Sequence, residues 1–181
     1  MGFCIFNYAA VAAHYAIAKA GVGKVAILDF DVHFGNGVAA LVEQCSQARY
    51  CSLHQLYVFP LSGSEQKQGP LKNLRSIGVP AFSTYAQYEP LLDRALGFLC
   101  EQGVFEPDLL IVCAGFDALR SDPMAGVSLE PADYGKIAGK VQEAFGALPV
   151  VYGLEGGYNL DDLPLAVESV LLAYAAADGE Q

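Results

Sequence analysis

The chain has 181 residues, of which 54% are hydrophobic and 17% charged, so it can bury the core of one domain and is not expected to be disordered. Its formal net charge of −10, without any basic cluster, argues against direct binding to nucleic acid. No apolar stretch reaches the roughly 18 residues of a membrane span and no targeting signal is visible, so we expect a cytoplasmic protein, or a nuclear one in a eukaryote.

The acidic balance and the cysteines leave the function open. A negative surface suits a cationic substrate such as a lysine-rich tail or a polyamine, but it is equally typical of a soluble protein without charge-based specificity. The five cysteines form no CxxC pair, which predicts reduced and buried thiols.

The chain opens directly on an apolar run, residues 1–6, with no polar lead-in. A natural domain rarely begins in what looks like core. We therefore expect residues 1–181 to form a single domain whose N-terminal part is missing.

The first half of the chain alternates helix and strand patterns. Asn7 is predicted to cap a helix that runs to about Ala20, where Gly21 and Gly23 end it. The continuous apolar run that follows is typical of a buried parallel strand. That strand, a short helix, a second strand and a long loop are predicted at residues 24–29, 38–45, 49–54 and about 56–80.

The second half continues this alternation. It is predicted to contain an amphipathic helix, a third buried strand, a helix opened by Glu130 or Pro131, a fourth strand and a final helix. These elements are expected at residues 85–102, 109–114, 130–146, 150–154 and 163–176. The alternation predicts an α/β fold with a mainly parallel sheet, in which functional residues lie just beyond the C-terminal ends of the strands.

The residues that follow the first and third strands predict a metal site. Asp29, Asp31 and His33 are spaced by two, and in extended backbone such residues point the same way. Asp117 follows the third strand. Two aspartates and one histidine make a three-ligand site with an open position, as in catalytic zinc centres. Ordinary strand-end polarity and a helix cap are the alternatives, so the two motifs together indicate a metal more strongly than either alone.

A glycine pair and a tyrosine follow the fourth strand. Gly156 and Gly157 let the backbone approach a ligand closely, and Tyr158 can then present its hydroxyl as a hydrogen-bond donor to an oxyanion beside the metal. The alternative is a glycine turn with a packing tyrosine, and the pattern alone is weak.

Six motifs occur along the chain in an order that carries a family resemblance. They are GFC…N at residues 2–7, DxDxHxGNG at 29–37, SLH at 52–54, AGFDA at 114–118, DP at 122–123 and EGGYN at 155–159. Together they resemble the histone deacetylase family, which includes bacterial acetylpolyamine amidohydrolases and acetoin-utilisation proteins. The GNG and EGGY forms are similar to the class II and bacterial branches.

The resemblance implies a fold and a catalytic metal centre. The fold would be the arginase/deacetylase three-layer α/β sandwich around a mainly parallel sheet. One catalytic Zn²⁺ would be bound by Asp31, His33 and Asp117. Tyr158 would polarise the substrate carbonyl and hold the oxyanion, and Asp29 would orient a catalytic histidine.

The resemblance also implies two further groups of residues. A structural monovalent cation, usually K⁺ in this family, would be held largely through backbone oxygens. Its residues would be Asp29, Asp31, His33, Ser52 and Leu53. The acyl-lysine tunnel would be formed by Gly2, Phe3, Phe59, Gly156 and Gly157.

The implied activity is zinc-dependent removal of acetyl groups from an acetylated lysine side chain or an acetylpolyamine. The family transfers protons with two adjacent histidines upstream of GFC, whereas this chain contains only His14, His33 and His54. We therefore expect zinc binding with little turnover. The alternatives are a truncated, non-catalytic module that binds metal or another protein, with an oligomer possible, and a doubly wound protein without a metal.

Overall fold

The computed structural model describes residues 3–63 and 68–178. Helices and strands alternate along this part of the chain, as the sequence predicts. The elements are α1 (Tyr8–Lys19), β1 (Val25–Asp29), α2 (Asn36–Val42), β2 (Ala48–Gln55), β3 (Leu74–Val79), α3 (Tyr85–Leu99), β4 (Leu109–Ala114), α4 (Pro131–Phe145), β5 (Val150–Leu154) and α5 (Asp162–Asp178).

The strands form one parallel sheet in the order β3-β2-β1-β4-β5. β1 lies at the centre and is buried along its whole length. Its last residue, Asp29, is aligned with Ser52 of β2 and Cys113 of β4. The C-terminal ends of three strands therefore meet at one edge, and the loops that leave them lie close together.

Helices cover both faces of the sheet and make a three-layer α/β sandwich. Alternate residues of β1 enter different cores, Ala26 and Leu28 on the α3, α4 and α5 side and Val25 and Ile27 on the α1 and α2 side. A strand covered on both faces must be apolar throughout. This explains why the continuous apolar run around β1 is a reliable signal of a central strand.

The long loop predicted over residues 56–80 is wrong in part, because it contains β3. This strand pairs in parallel with β2 at the edge of the sheet. Arg75 is exposed and Gly78 packs under Leu56, so the strand lacks the continuous apolar run that identifies β1 and β4. Its place is set by pairing with β2, which local sequence does not reveal.

The other boundaries agree with the sequence to within a few residues. Asn7 caps α1, since its side-chain oxygen accepts a hydrogen bond from Ala10 N at 2.9 Å. α2 begins two residues earlier and ends three residues earlier than predicted. A backbone turn follows it, in which Cys45 N donates to Val42 O. α3 ends at Leu99 rather than near residue 102. Among the described residues, none of the helices has the length and apolar character that crossing a membrane requires.

Candidate metal centre

The loops after β1 and β4 bring Asp31, His33 and Asp117 together at the C-terminal edge of the sheet. Each offers one ligand atom, and the three atoms lie within 4.8 Å of one another. His33 Nδ1 is 3.1 Å from Asp31 Oδ1 and 3.0 Å from Asp117 Oδ2. One imidazole nitrogen thus faces two carboxylates that come from different loops, far apart in the chain.

Backbone amides fix the direction of both carboxylates. Asp31 Oδ1 accepts from His33 N at 2.9 Å, and Asp31 Oδ2 accepts from Gly156 N at 2.8 Å. Asp117 Oδ1 accepts from Val32 N at 2.8 Å. These bonds tie the loops after β1, β4 and β5 to one another. The cluster is therefore held by backbone rather than by mobile side chains.

Two glycines leave room for the carboxylates. A Cβ atom on Gly156 would collide with Asp117 Oδ2 and Asp31 Oδ2. A Cβ atom on Gly115 would collide with Asp31 itself. The glycines of the AGFDA and EGGY motifs thus have a steric role, because the backbone of two loops must approach the carboxylates directly.

The protonation behaviour of the three groups reflects their proximity. Hydrogen bonding to Asp117, and then to Asp31, raises the pKa of His33 to about 10. Burial raises the pKa of Asp117 to about 6. Burial also acts to raise the pKa of Asp31, but hydrogen bonds from His33 and Gly156 outweigh it and the pKa is lowered. Buried carboxylates of this kind require a positive charge nearby.

A further carboxylate lies beside the cluster. Burial, and then the charge of Asp31, raises the pKa of Glu155 above its ordinary value. Mutual repulsion among closely spaced acidic groups is relieved by a bound cation, which is often the largest local charge in such a site. The electrostatics of this edge therefore favour a divalent ion.

The donor set fits zinc. Two ligands about 2.1 Å from one tetrahedral ion lie about 3.4 Å apart, which is near the separations between His33 Nδ1 and the two carboxylate oxygens. Asp117 Oδ2 is fully buried and faces His33 Nδ1 at 3.0 Å. Two aspartates and one histidine could hold the ion and leave a coordination position open.

Asp29 lies apart from the three-residue cluster. The chain leaves the extended conformation after β1, so the alternation that would place Asp29, Asp31 and His33 on one side does not hold beyond the strand. Asp29 is buried; its Oδ2 accepts from the Tyr50 hydroxyl at 2.6 Å and its Oδ1 accepts from Asp31 N at 3.1 Å. Burial, and then the charge of Asp31, raises the pKa of Asp29 well above its ordinary value.

Tyr158 lies at the rim of the site, with 37% of its surface exposed. Its backbone N donates to Asp122 Oδ2 at 2.8 Å, which fixes the loop after β5. Its ring makes an edge contact with Phe3 at 6.0 Å between centroids. Burial, and then the charge of Asp117, raises the pKa of Tyr158 to about 12, so the phenol keeps its proton at neutral pH.

Among the predicted tunnel residues that the structure describes, Phe3, Phe59 and Gly156 lie beside the cluster. The Phe59 ring lies 6.4 Å from the His33 ring, and Phe3 lies on the Tyr158 side. Both rings are more than half exposed. A Cβ atom on Gly157 would point toward Leu163 and Phe116. Gly2 lies outside the described residues.

The predicted cation residues lie at the end of β1 (Asp29), in the loop that follows it (Asp31 and His33) and in the second half of β2 (Ser52 and Leu53). Ser52 pairs with Asp29 in the sheet, and Ser52 and Leu53 are buried. The Ser52 hydroxyl lies 3.1 Å from His54 Nδ1, and His54 Nε2 lies 3.0 Å from Gly63 O. His54 is therefore engaged in this buried network.

Two supporting residues were not predicted from the sequence to belong to the site. Tyr50 holds Asp29, and Asp122 holds the loop that presents Tyr158. Tyr50 looks like any aromatic strand residue, because its hydroxyl partner comes from another strand. Asp122 had a weak signal in the Asp-Pro pair at residues 122–123.

The chain matches known proteins over nearly all of its length. The family model described as histone deacetylase domain matches residues 1–174. The uncharacterized protein slr0245 of Synechocystis is 43% identical over 94% of this chain and 55% of the relative. Histone deacetylase 10, chloroplastic, of rice (Oryza sativa subsp. japonica) is 32% identical over 96% of this chain and 40% of the relative. The chain thus spans about half the length of these relatives.

Two solved structures have the same fold as this chain. An acetylpolyamine aminohydrolase from Burkholderia pseudomallei superposes with a TM-score of 0.88 at 29% identity, over 97% of this chain and 51% of that chain. The HDA15 HD domain superposes with a TM-score of 0.83 at 35% identity, over 94% of this chain and 50% of that chain.

Proposed function

The chain belongs to the histone deacetylase family and has its arginase/deacetylase fold, and from this premise we propose that Asp31, His33 and Asp117 bind one catalytic zinc ion. The observation that carries the proposal is the convergence of three ligand atoms from two loops within 4.8 Å in an acidic, partly buried setting. Bound Zn²⁺ would supply a Lewis acid that polarises an amide carbonyl and acidifies a water molecule.

Tyr158 has the chemistry of an oxyanion donor. Its pKa of about 12 keeps the phenol protonated at neutral pH, so the hydroxyl can donate to a substrate oxygen as negative charge grows there. Asp122 acts on the backbone of Tyr158 and therefore positions it without touching the substrate. Phe3 and Phe59 can line the path of an aliphatic acyl-lysine chain and exclude water from it.

The proposed reaction is hydrolysis of an acetyl amide on a lysine side chain or a polyamine. Relatives are named histone deacetylase and a solved neighbour is an acetylpolyamine aminohydrolase, which supports this substrate class. The net charge of −10 suits either cationic substrate.

The 181-residue sequence lacks an evident residue for proton transfer during catalysis. His33 belongs to the metal cluster, His14 is exposed on α1 and His54 is buried in its own network. No histidine of this sequence remains to act as a base beside the metal, and general acid–base catalysis typically contributes about 10²–10⁴-fold. We propose zinc binding with slow turnover. This observation also favours a second candidate, a non-catalytic module that binds metal or another protein.

A structural K⁺ beneath the zinc centre is part of the proposal. Its support is the register of β1 and β2, which sets Asp29 beside Ser52 in a buried position, with Leu53 next along the strand. Backbone oxygens of Asp31 and His33 would complete the site. A thermal melt in KCl that matches the melt in tetramethylammonium chloride would count against this ion.

Zinc content tests the metal proposal directly. Purified chain, dialysed with zinc and then against metal-free buffer, should retain about one zinc per chain by mass spectrometry of the metal. Asp117→Asn should lose most of that zinc because it weakens a buried anionic ligand. Asp93→Asn is the matched control, since Asp93 is an exposed carboxylate on α3 paired with Lys140. Equal zinc in all three proteins would refute the assignment.

Activity separates the two candidate functions. The zinc-loaded chain is assayed with an acetyl-lysine peptide and with an acetylpolyamine, and a complete relative serves as reference. Turnover about 10²–10⁴-fold below the reference supports an impaired enzyme, and none above the metal-free background supports the non-catalytic module. Turnover equal to that of the reference would show that this chain needs no additional residue for proton transfer.

A further inference from the structure

Three large apolar residues combine a left-handed backbone conformation with an exposed side chain. The φ angles of Tyr57, Leu61 and Phe82 are 64°, 57° and 62°, and the residues are 92%, 80% and 78% exposed. A Cβ atom makes this conformation unfavourable, and glycine is its usual occupant. Burial of these side chains does not offset the strain, and backbone strain without a packing benefit is typical of functional sites.

The three residues lie in loops at the C-terminal edge of the sheet, the edge that also carries the metal cluster. Tyr57 and Leu61 belong to the loop after β2, and Phe82 belongs to the loop after β3. The loop after β2 also contains Phe59, whose ring centroid is 6.4 Å from that of His33. The strained residues therefore continue the surface that flanks the cluster on the β2 side.

Hydrogen bonds join these loops to the loop after β4. Phe82 N donates to Gly126 O at 2.6 Å, and Gly126 N donates to the Gln55 side chain at the end of β2 at 2.7 Å. In the same β4 loop, the half-exposed Met124 donates its backbone N–H to Asp122, which also holds the loop of the proposed oxyanion donor. We call the exposed apolar residues of these three loops the apolar rim: Tyr57, Leu61, Phe82 and Met124.

The loops after β2 and β3 carry the apolar rim without any charge. Residues 56–63 and 80–84 contain no acidic or basic side chain. A polyamine that extends out of the site presents ammonium groups, which need carboxylates or water around them. An uncharged apolar surface instead gains free energy by covering apolar groups. The chemistry of the rim therefore matches an apolar side chain better than it matches a polycation.

We propose that the apolar rim binds an apolar side chain next to the acetyl-lysine of a peptide or protein, so that the chain prefers acetylated polypeptides to acetylpolyamines. The inference rests on the proposed function and names its substrate class. Continuity with the site selects this occupant, because Phe59 flanks the cluster and belongs to the same loop as Tyr57 and Leu61. With the acetyl group at the cluster, the residues beside the lysine lie over this loop.

Peptide binding tests the preference without requiring turnover. Two fluorescein-labelled acetyl-lysine peptides, one with phenylalanine and leucine beside the modified lysine and one with serine at both positions, are titrated with the zinc-loaded chain, and fluorescence anisotropy gives each Kd. The apolar peptide should bind about tenfold more tightly, the effect of burying one large apolar side chain. An acetylpolyamine should displace it no better than the unlabelled serine peptide does.

Glycine substitutions separate binding from folding. Phe82→Gly removes the ring and relieves the left-handed strain, so the affinity ratio of the two peptides should fall toward one while the melting temperature rises by about 2–4 °C. Tyr57→Gly, in the other loop, should act in the same direction. Val104→Gly is the control, since Val104 is 59% exposed in the turn after α3 and has no left-handed φ; it should keep the tenfold ratio and should not raise the melting temperature.

The outcomes distinguish this inference from the proposed function. Equal Kd values for the two peptides, or displacement by the acetylpolyamine at lower concentration than by the apolar peptide, overturn the inference and leave zinc binding and deacetylation intact. A ratio that stays tenfold in both Phe82→Gly and Tyr57→Gly overturns it as well, as does a fall in melting temperature in both. A chain that retains no zinc and binds neither peptide would fail the proposed function first.

Discussion

At the scale of single residues, the proposed metal centre depends on the space around its carboxylates as much as on the ligands themselves. Gly156 donates its backbone N–H to Asp31, and its missing side chain leaves room for oxygens of Asp31 and Asp117. The glycine pair was predicted to approach a ligand closely. In the structure, Gly156 approaches the carboxylates that would hold the ion.

Gly156→Ala tests this steric role. The added methyl group should push the two carboxylates away from their common focus and weaken zinc affinity by about tenfold or more, as changes next to metal ligands commonly do. Competition with a chromogenic chelator measures the affinity. Gly139→Ala is the control, because nothing lies within 4 Å of a Cβ at this position on α4. Unchanged affinity in Gly156→Ala would show that the carboxylates can shift without cost.

Tyr50 is a second residue, and its contribution to stability depends on one buried hydrogen bond. Its hydroxyl donates to Asp29 at 2.6 Å, and both side chains are buried. Tyr50→Phe removes the donor and leaves a buried carboxyl oxygen without it, which should lower the free energy of unfolding by about 1–3 kcal/mol. Urea denaturation at pH 7 measures the loss. Tyr57→Phe, at an exposed position, should change the stability by no more than about 0.5 kcal/mol.

At the scale of elements, β3 shows how a strand can be placed by its partners. The residue that precedes it, Asn73, is buried and donates its side-chain amide to Val42 O, Cys45 O and Ala48 O at 2.9–3.0 Å. Its own backbone oxygen accepts from Tyr50 N. One side chain thus joins the end of α2 and the start of β2 to the start of β3.

Asn73→Ala should therefore loosen three elements together. Several carbonyl oxygens would lose a buried donor, and the expected loss in the free energy of unfolding is about 2–4 kcal/mol. Urea denaturation gives the value, and hydrogen exchange should show faster exchange in β3 than in β1. Gln102→Ala, at an exposed position after α3, is the control. A loss no larger than the control's would mean that β3 is held by strand pairing alone.

At the scale of the whole molecule, zinc should stabilise the fold, because its proposed ligands come from loops that follow two different strands. Ligand binding to the folded state alone adds RT ln(1 + [L]/Kd), about 2.7 kcal/mol at a free zinc concentration of about 100 Kd. For a chain of this size about 1 kcal/mol corresponds to about 2–4 °C. The melting temperature should therefore rise by about 5–10 °C with zinc and fall again with a chelator.

The same melt with Asp117→Asn separates site binding from non-specific binding. This variant should show a zinc-dependent shift of less than about 2 °C, because one of three ligands is weakened. Scanning calorimetry or a fluorescence melt is sufficient. An equal shift in the wild-type chain and the variant would place the ion elsewhere on this acidic protein.

The sequence by itself determined the α/β class, four of the five strands in the described part of the chain, and the proximity of Asp31, His33 and Asp117. It could do so because central parallel strands must be apolar on both faces and because their C-terminal ends converge. Motif order was enough to indicate the family, which the comparisons confirm.

Only the tertiary structure decided which groups meet. β3 depends on pairing with β2, Asp29 turns to Tyr50 rather than to the cluster, and Asp122 supports Tyr158 across two loops. Likewise, VVYGL is typical of a covered strand, but its exposure is visible only when the neighbouring elements are in place. These features arise from contacts between residues far apart in the chain, and a local pattern contains no information about the partner.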